Sequence, residues 1–253
     1  MFTLFITILC TGWHKVEPHR GLVKYGNQII PSFIEKISKE NDEKTCQSEV
    51  ATQDFRVFLP LCGKSVDMAF LAIQPSVGQV VGIDGIRKAL VAFAEENPSL
   101  EIQTNQSNTE GDVVERLTGK GIQLLRGDFF DLNDEVTEGR FNMILDRASI
   151  VAIQPTLREK YVEILGKLIK PGGSILLMTV DRRSGKEEAR KAGPPFSVDE
   201  QEVRRLYEHL DWVEDVKLVE EYDEFQDKGM KEKFGSQGLD SVFELCFIIT
   251  AKK

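Results

Sequence analysis

Gly63, Asp84 and Arg147 each stand just beyond an apolar run, the position at which an open α/β sheet presents chemistry to a ligand. Phe55 to Ser65 reads Phe-Arg-Val-Phe-Leu-Pro-Leu-Cys-Gly-Lys-Ser, an apolar run halted by Pro60 and Gly63. Val57, Phe58 and Leu59 have the side chains of a buried strand, and Gly63 allows backbone to approach a ligand closely. Asp84 closes the next apolar run, 84 − 63 = 21 positions on. A second strand needs about 20 positions to bring a carboxylate to a ribose diol. The layout predicts an adenosine-binding pocket.

Two phosphate-binding motifs are excluded by the same residues. Gly63-Lys64-Ser65 resembles the end of a P-loop, but Phe58 occupies the place of the upstream glycine, so the backbone nest for phosphates is missing. No Gly-x-Gly-x-x-Gly follows the strand, which leaves a dinucleotide's pyrophosphate without a seat. An adenosine cofactor lacking phosphate fits better, and S-adenosylmethionine is such a cofactor.

The positioning elements follow in order. Ile122 to Arg126 reads as a strand ending in Gly127-Asp128-Phe129-Phe130-Asp131, where Asp128 and the aromatic rings can bracket an adenine. Phe141 to Leu145 is another buried strand and runs into Asp146-Arg147. Ser174 to Val180 is a further strand, introduced by the turn Lys170-Pro171-Gly172-Gly173. Val213 to Tyr222 and Val242 to Ile249 read as a closing antiparallel pair. A helix is expected over Val198 to Leu210, a solvated mobile loop over Asp181 to Ala192, and surface loops over Ser38 to Asp54 and Pro98 to Lys120. Asp84 is also placed to cap a helix from Ile86 onward. The expected fold is α/β and doubly wound: a mostly parallel, seven-stranded Rossmann-like methyltransferase sheet with an antiparallel edge hairpin.

Phe-Leu-Pro-Leu-Cys-Gly-Lys-Ser at 58 to 65, Val-Gly-Ile-Asp at 81 to 84, Leu-Asp-Arg-Ala-Ser-Ile-Val-Ala-Ile at 145 to 153 and Gly-Pro-Pro-Phe at 193 to 196 carry a resemblance over most of the chain. With them the chain resembles the thiopurine S-methyltransferases and their thiol and halide methyltransferase relatives. The resemblance implies methyl transfer from S-adenosyl-L-methionine to the sulfur of an aromatic, heterocyclic or small thiol, with halide or bisulfide transfer, or a non-catalytic cofactor-binding role, as alternatives. It implies cofactor contacts at Leu61, Gly63, Asp84, Asp128, Phe129 and Arg147. Arg147 is also the catalytic candidate, since a guanidinium beside the acceptor lowers a thiol's pKa; the same side chain could equally pin the cofactor's carboxylate or pair with the adjacent Asp146. The family usually carries glutamate where Asp84 stands. Its acceptor pocket would fall at Trp13, His14, Pro195 and Phe196.

The N-terminus departs from that pattern. Thr11-Gly12-Trp13-His14 resembles the family's Thr-Gly-Phe-His element, but the family's upstream covering tryptophan is replaced by an apolar stretch, with Ile6 near its place. Those ten residues have no positive flank and are shorter than the about 20 needed to span a membrane. The expectation is a cytoplasmic, monomeric enzyme with no membrane partner and one domain over residues 1–253, of which 1–54 form an atypical cap and 55–253 the catalytic core.

Length and charge support this reading. A chain of 253 residues with 41% hydrophobic composition can build one compact α/β core. A net charge of −9 argues against nucleic-acid substrates, which call for basic surface. Cys10, Cys46, Cys62 and Cys246 have no metal-site spacing, and His14, His19 and His209 do not supply one, so no metal is expected. Cys62 reads as a small apolar filler beside the pocket.

Overall fold

The computed structural model describes residues 17–31, 55–104 and 113–253. Trp13, His14 and Ile6 lie outside them, as does the Ser38 to Asp54 stretch. The chain enters through helix α1 (Arg20–Tyr25) and then builds β1 (Phe55–Leu59), α2 (Val66–Ala72), β2 (Val77–Asp84), α3 (Arg87–Glu96), β3 (Glu115–Gly119), β4 (Ile122–Arg126) and β5 (Phe141–Arg147). It continues through α4 (Arg158–Leu168), β6 (Ile169–Arg183), α5 (Glu187–Lys191), α6 (Glu200–Tyr207), β7 (Val213–Asp223), α7 (Lys228–Gly235) and β8 (Ser241–Ala251).

The strands form one sheet in the order β3-β4-β2-β1-β5-β6-β8-β7. The central five are parallel, while β3 pairs antiparallel to β4 and β8 antiparallel to both β6 and β7. After β1 the chain winds outward through β2 to β4, then returns to place β5 on the other side of β1. That reversal opens a crevice at the carboxyl ends of β1 and β5, where doubly wound sheets bind ligands.

Both faces of the central strands are covered, which is why their sequences are apolar without alternation. Val57 and Leu59 face a layer containing Leu22, Met68, Leu71, Leu90 and Phe93 from α1, α2 and α3. Phe58 and Ile144 face the opposite layer, with Tyr161, Leu165, Leu206 and Tyr207 from α4 and α6. Each such fully buried side chain contributes about 1.5–3 kcal/mol of apolar burial. The outermost strand β7 carries Glu214, Asp215, Lys217, Glu220 and Glu221, charges that discourage edge-to-edge pairing.

Three expectations are corrected. The sheet has eight strands rather than seven, because β3 arises inside the stretch expected to be a surface loop; Leu117 is its buried anchor and its remaining residues are polar. Asp181 to Ala192 is not one solvated loop. It comprises the end of β6, where Arg182 is buried, and the short helix α5. The helix expected over Val198 to Leu210 is the shorter α6, started by the Asp199 side chain, which accepts from the Glu202 N–H. The Lys170 to Gly173 turn appears as an irregularity inside β6, with Gly172 at φ +72°.

Candidate active site

The rim begins where β1 ends. Leu61 and Gly63 both adopt left-handed backbone, φ +43° and +52°, a conformation that costs a leucine about 1–2 kcal/mol and a glycine little. The turn is fixed to the neighbouring strand: the Cys62 N–H donates to the Ile83 carbonyl at 2.9 Å, and the Gly63 N–H donates to Asp84 Oδ2 at 2.9 Å. Asp84 Oδ1 accepts from the Ile86 N–H at 2.8 Å. Asp84 therefore staples the loops after β1 and β2. It does not cap α3, whose N-cap is Ile86.

Burial pushes the Asp84 carboxyl above the ordinary carboxylate range, partly offset by the Ile86 and Gly63 N–H groups. Each oxygen accepts one backbone bond and keeps a lone pair for a ligand. A side chain placed on Gly63 would meet nothing nearer than Asp84 Oδ2 at 4.0 Å, and one on Gly85 nothing nearer than the Gly127 carbonyl at 3.8 Å. The wall beside the carboxylate is thus bare backbone with open space before it, which suits a closely approaching ribose.

Across β4, the Gly127 N–H donates to the Asp84 carbonyl at 3.3 Å and brings Asp128 to the same rim. Asp128 Oδ1 accepts from the Phe130 N–H at 2.9 Å and leads a short 3-10 turn over Phe129–Asp131. The two phenylalanines then separate. The Phe129 ring is buried among Phe58 and Tyr161, with centroids 6.5 and 4.6 Å away, while Phe130 is half-buried at the edge. Burial closes the Phe129 ring to stacking on an adenine and leaves it only its backbone for such a contact, while Phe130, with Lys160 Nζ 5.0 Å from its centroid, stands nearer the surface.

On the far side of β1, the end of β5 sends two charges in opposite directions. Asp146 is fully buried, accepting from the Tyr161 hydroxyl at 2.8 Å and the Ile150 N–H at 3.1 Å; burial raises its carboxyl to about 6. The pairing of Arg147 with Asp146 that chain adjacency suggested does not form. Arg147 Nη1 instead lies 3.4 Å from both Ser65 Oγ and Asp67 Oδ2 at the start of α2. Ala148 follows with φ +64°, a second strained residue at the switch point. The Ser149 hydroxyl donates to the Pro60 carbonyl at 2.7 Å and joins the β5 and β1 turns.

Pro195 and Phe196 reach the same turn: the Phe196 N–H donates to the Val151 carbonyl at 2.7 Å. Arg182 holds that segment from below, donating to the Pro195 carbonyl at 2.8 Å and the Ala189 carbonyl at 3.2 Å. Gly63, Asp84, Asp128, Arg147 and Pro195–Phe196 therefore belong to one side of the sheet. Ser65, Asp67 and Arg182 are neighbours that sequence reading missed; only Ser65, which opens an apolar run as a helix cap, carried a local signal.

His19 is committed elsewhere. Its Nδ1 accepts from the Gly21 N–H and its Nε2 donates to Glu244, which fixes the neutral tautomer with the proton on Nε2. Cys62 is buried, and burial pushes its thiol well up, as befits a filler. Among the described residues, no group of three His, Cys, Asp or Glu is placed to hold a metal, and no helix is long and apolar enough to cross a membrane.

The doubly wound, mostly parallel sheet with an antiparallel edge recurs among solved S-adenosylmethionine methyltransferases. An arsenic (III) S-adenosylmethionine methyltransferase from Chlamydomonas reinhardtii shares it with a TM-score of 0.52 at 16% identity, covering 79% of this chain and 64% of that one. A Haemonchus contortus N-methyltransferase solved with S-adenosylhomocysteine also scores 0.52, at 15% identity over 78% of this chain and 48% of that one. At the sequence level, the profile of the thiopurine S-methyltransferase (TPMT) family matches residues 22–252. A thiopurine S-methyltransferase of Legionella pneumophila (strain Corby) is 37% identical over 202 residues, 80% of this chain and 82% of that protein. The Bos taurus thiopurine S-methyltransferase is 29% identical over 246 residues, 96% of this chain and 85% of that protein. The chain belongs to the thiopurine S-methyltransferase family and is an S-adenosylmethionine-dependent methyltransferase.

Proposed function

We propose that this enzyme methylates the sulfur of an aromatic or heterocyclic thiol, with residues 55–253 as its catalytic core and the residues before them as its cap. The observation that carries the reading is the Gly63–Asp84 staple at the ends of β1 and β2, with Arg147 at the end of β5, the strand next to β1 on its other side. When bound, S-adenosylmethionine supplies a methyl on a positive sulfur whose leaving group is a neutral thioether.

The residues then have separable tasks. Asp84 accepts a hydrogen bond from a ribose hydroxyl, while the Leu61–Gly63 backbone lies against the ligand where a side chain would intrude. Asp128 and Phe130 flank the base, with Phe129 contributing backbone. Arg147 favours the thiolate over the thiol by placing positive charge beside it. Pro195 and Phe196 wall the acceptor and keep water out, so that positioning supplies much of the rate. The buried free thiols Cys62 and Cys246 support a reducing, cytoplasmic setting.

The test is transfer of a labelled methyl from S-adenosylmethionine to an aryl thiol, with iodide and bisulfide in parallel. Preferential labelling of the aryl thiol is expected. Cofactor binding with no labelling of any thiol would overturn the proposal.

A further inference from the structure

Asp67 is a buried carboxylate with a role that the methyltransferase site does not by itself explain. It sits in the first turn of α2, and its side chain is 1% exposed. A carboxylate so enclosed is costly to bury without hydrogen bonds and a countercharge. It has both. Asp67 Oδ1 accepts from the His19 N–H at 2.7 Å, Oδ2 accepts from the Ser65 hydroxyl at 3.0 Å, and Arg147 Nη1 lies 3.4 Å from Oδ2. Arg147 is the cation with which Asp67 forms an ion pair among the described residues.

The three partners come from separate parts of the chain: the lead into α1, the turn after β1, and the end of β5. Asp67 is the atom group at which they meet. Ser65 lies between its two charged neighbours, since its oxygen is also 3.4 Å from Arg147 Nη1. An arginine has several rotatable bonds, and holding its fork in one place costs side-chain entropy unless something fixes it. The Asp67–Ser65 pair supplies that fixed point, beside the crevice rather than within the sheet.

We propose that Asp67 is a positioning residue for Arg147, setting where the guanidinium stands relative to the acceptor sulfur and tying that placement to the docking of the chain at His19. The inference rests on the reading of Arg147 as the cation that favours the thiolate. Asp67 touches neither substrate nor cofactor. Its effect is on the acidity of the bound thiol, not on cofactor affinity.

The experiment is the pH dependence of kcat/KM for a weakly acidic aryl thiol in wild type and Asp67→Asn, with S-adenosylhomocysteine affinity measured on the same samples. Asparagine keeps the volume and an acceptor for the His19 N–H but removes the charge that anchors Arg147. The acid limb is expected to move up by about one pH unit, the scale of losing a well-placed opposite charge. S-adenosylhomocysteine affinity is expected to stay within about threefold. A thiol already ionised at the assay pH is expected to lose much less activity than the weakly acidic one. In an Arg147→Met background, Asp67→Asn is expected to shift the limb no further.

An unmoved acid limb in an active Asp67→Asn enzyme overturns the inference and leaves thiol methylation standing. Parallel losses of cofactor affinity and of activity on both thiols also overturn it, since they mark a merely structural role. Failure of the wild type to methylate any thiol sinks the underlying reading instead. If Asp67→Asn does not fold, Ser65→Ala removes the hydroxyl that Asp67 and Arg147 share and is expected to shift the limb in the same direction by less; an unmoved limb there overturns the inference.

Discussion

Replacing Asp84 by alanine removes three interactions of two kinds, and they can be measured apart. Two are internal: the Gly63 and Ile86 N–H groups lose their carboxylate acceptors at 2.9 and 2.8 Å. Both lie at a partly exposed rim where water can replace the oxygen, so the cost in stability is about 1 kcal/mol. The third is the proposed bond to the ribose, a charge-assisted contact worth about 1 to 3 kcal/mol, or roughly 5- to 150-fold in affinity. Calorimetric titration of S-adenosylhomocysteine into Asp84→Ala and wild type reads the binding part, and thermal unfolding without ligand reads the internal part. The raised pKa of Asp84 adds a second signature. Its carboxylate is lost at a pH above the ordinary carboxylate range, so wild-type affinity is expected to weaken on acidification earlier than a surface aspartate would allow. Asp84→Asn is expected to bind weakly but with a flat profile there. An Asp84→Ala variant that folds and binds with unchanged affinity would refute the reasoning.

Asp146 offers a stability test with a definite sign. Its folded pKa of about 6 exceeds the 3.8 of an ordinary aspartate, so the folded state holds the proton more tightly, and this group's contribution is lost as pH rises through that window. At about 1.4 kcal/mol per unit, denaturant titrations should show Asp146→Asn gaining about 2 kcal/mol relative to wild type on going from pH 4 to pH 7. Gly82→Ala would put a methyl 2.7 Å from the Cys62 sulfur and 2.8 Å from that of Met68. Unfolding measurements should find it about 1–3 kcal/mol less stable, with part of the loss recovered by adding Cys62→Ala. Cys62→Ala alone should keep methyl transfer, and a dead enzyme would disprove the filler role. Arg182→Met strips the Pro195 and Ala189 carbonyls of their donor, so steady-state kinetics should show a raised acceptor KM with cofactor affinity little changed.

The parts of the fold that could be read ahead were those with a single physical signature. β1, β4 and β5 are buried on both faces, so their runs are apolar and end in glycine, proline or charge. β3 was not legible because only Leu117 anchors it, and its Glu115, Arg116 and Thr118 look like a loop until Arg126 to Ile122 is laid alongside. In the site, Gly63, Asp84 and Arg147 could be picked out because strand ends expose them. Phe129 and Phe130 could not be told apart, since which ring faces the core depends on Tyr161, a residue of another element. Asp67 was invisible for the same reason. Its partners His19 and Arg147 are 48 and 80 positions away in the chain.

The central claim is that the carboxyl ends of β2, β1 and β5 form one rim that grasps the methyl donor. A crystal structure of the complex with S-adenosylhomocysteine tests it most directly. Expected are a ribose hydroxyl within hydrogen-bond distance of Asp84, the ligand against the Gly63 backbone, and its thioether sulfur on the Arg147 side of the β1/β5 crevice. A ligand bound at the opposite edge of the sheet, or at this edge with Asp84 and Arg147 both out of reach, would contradict it.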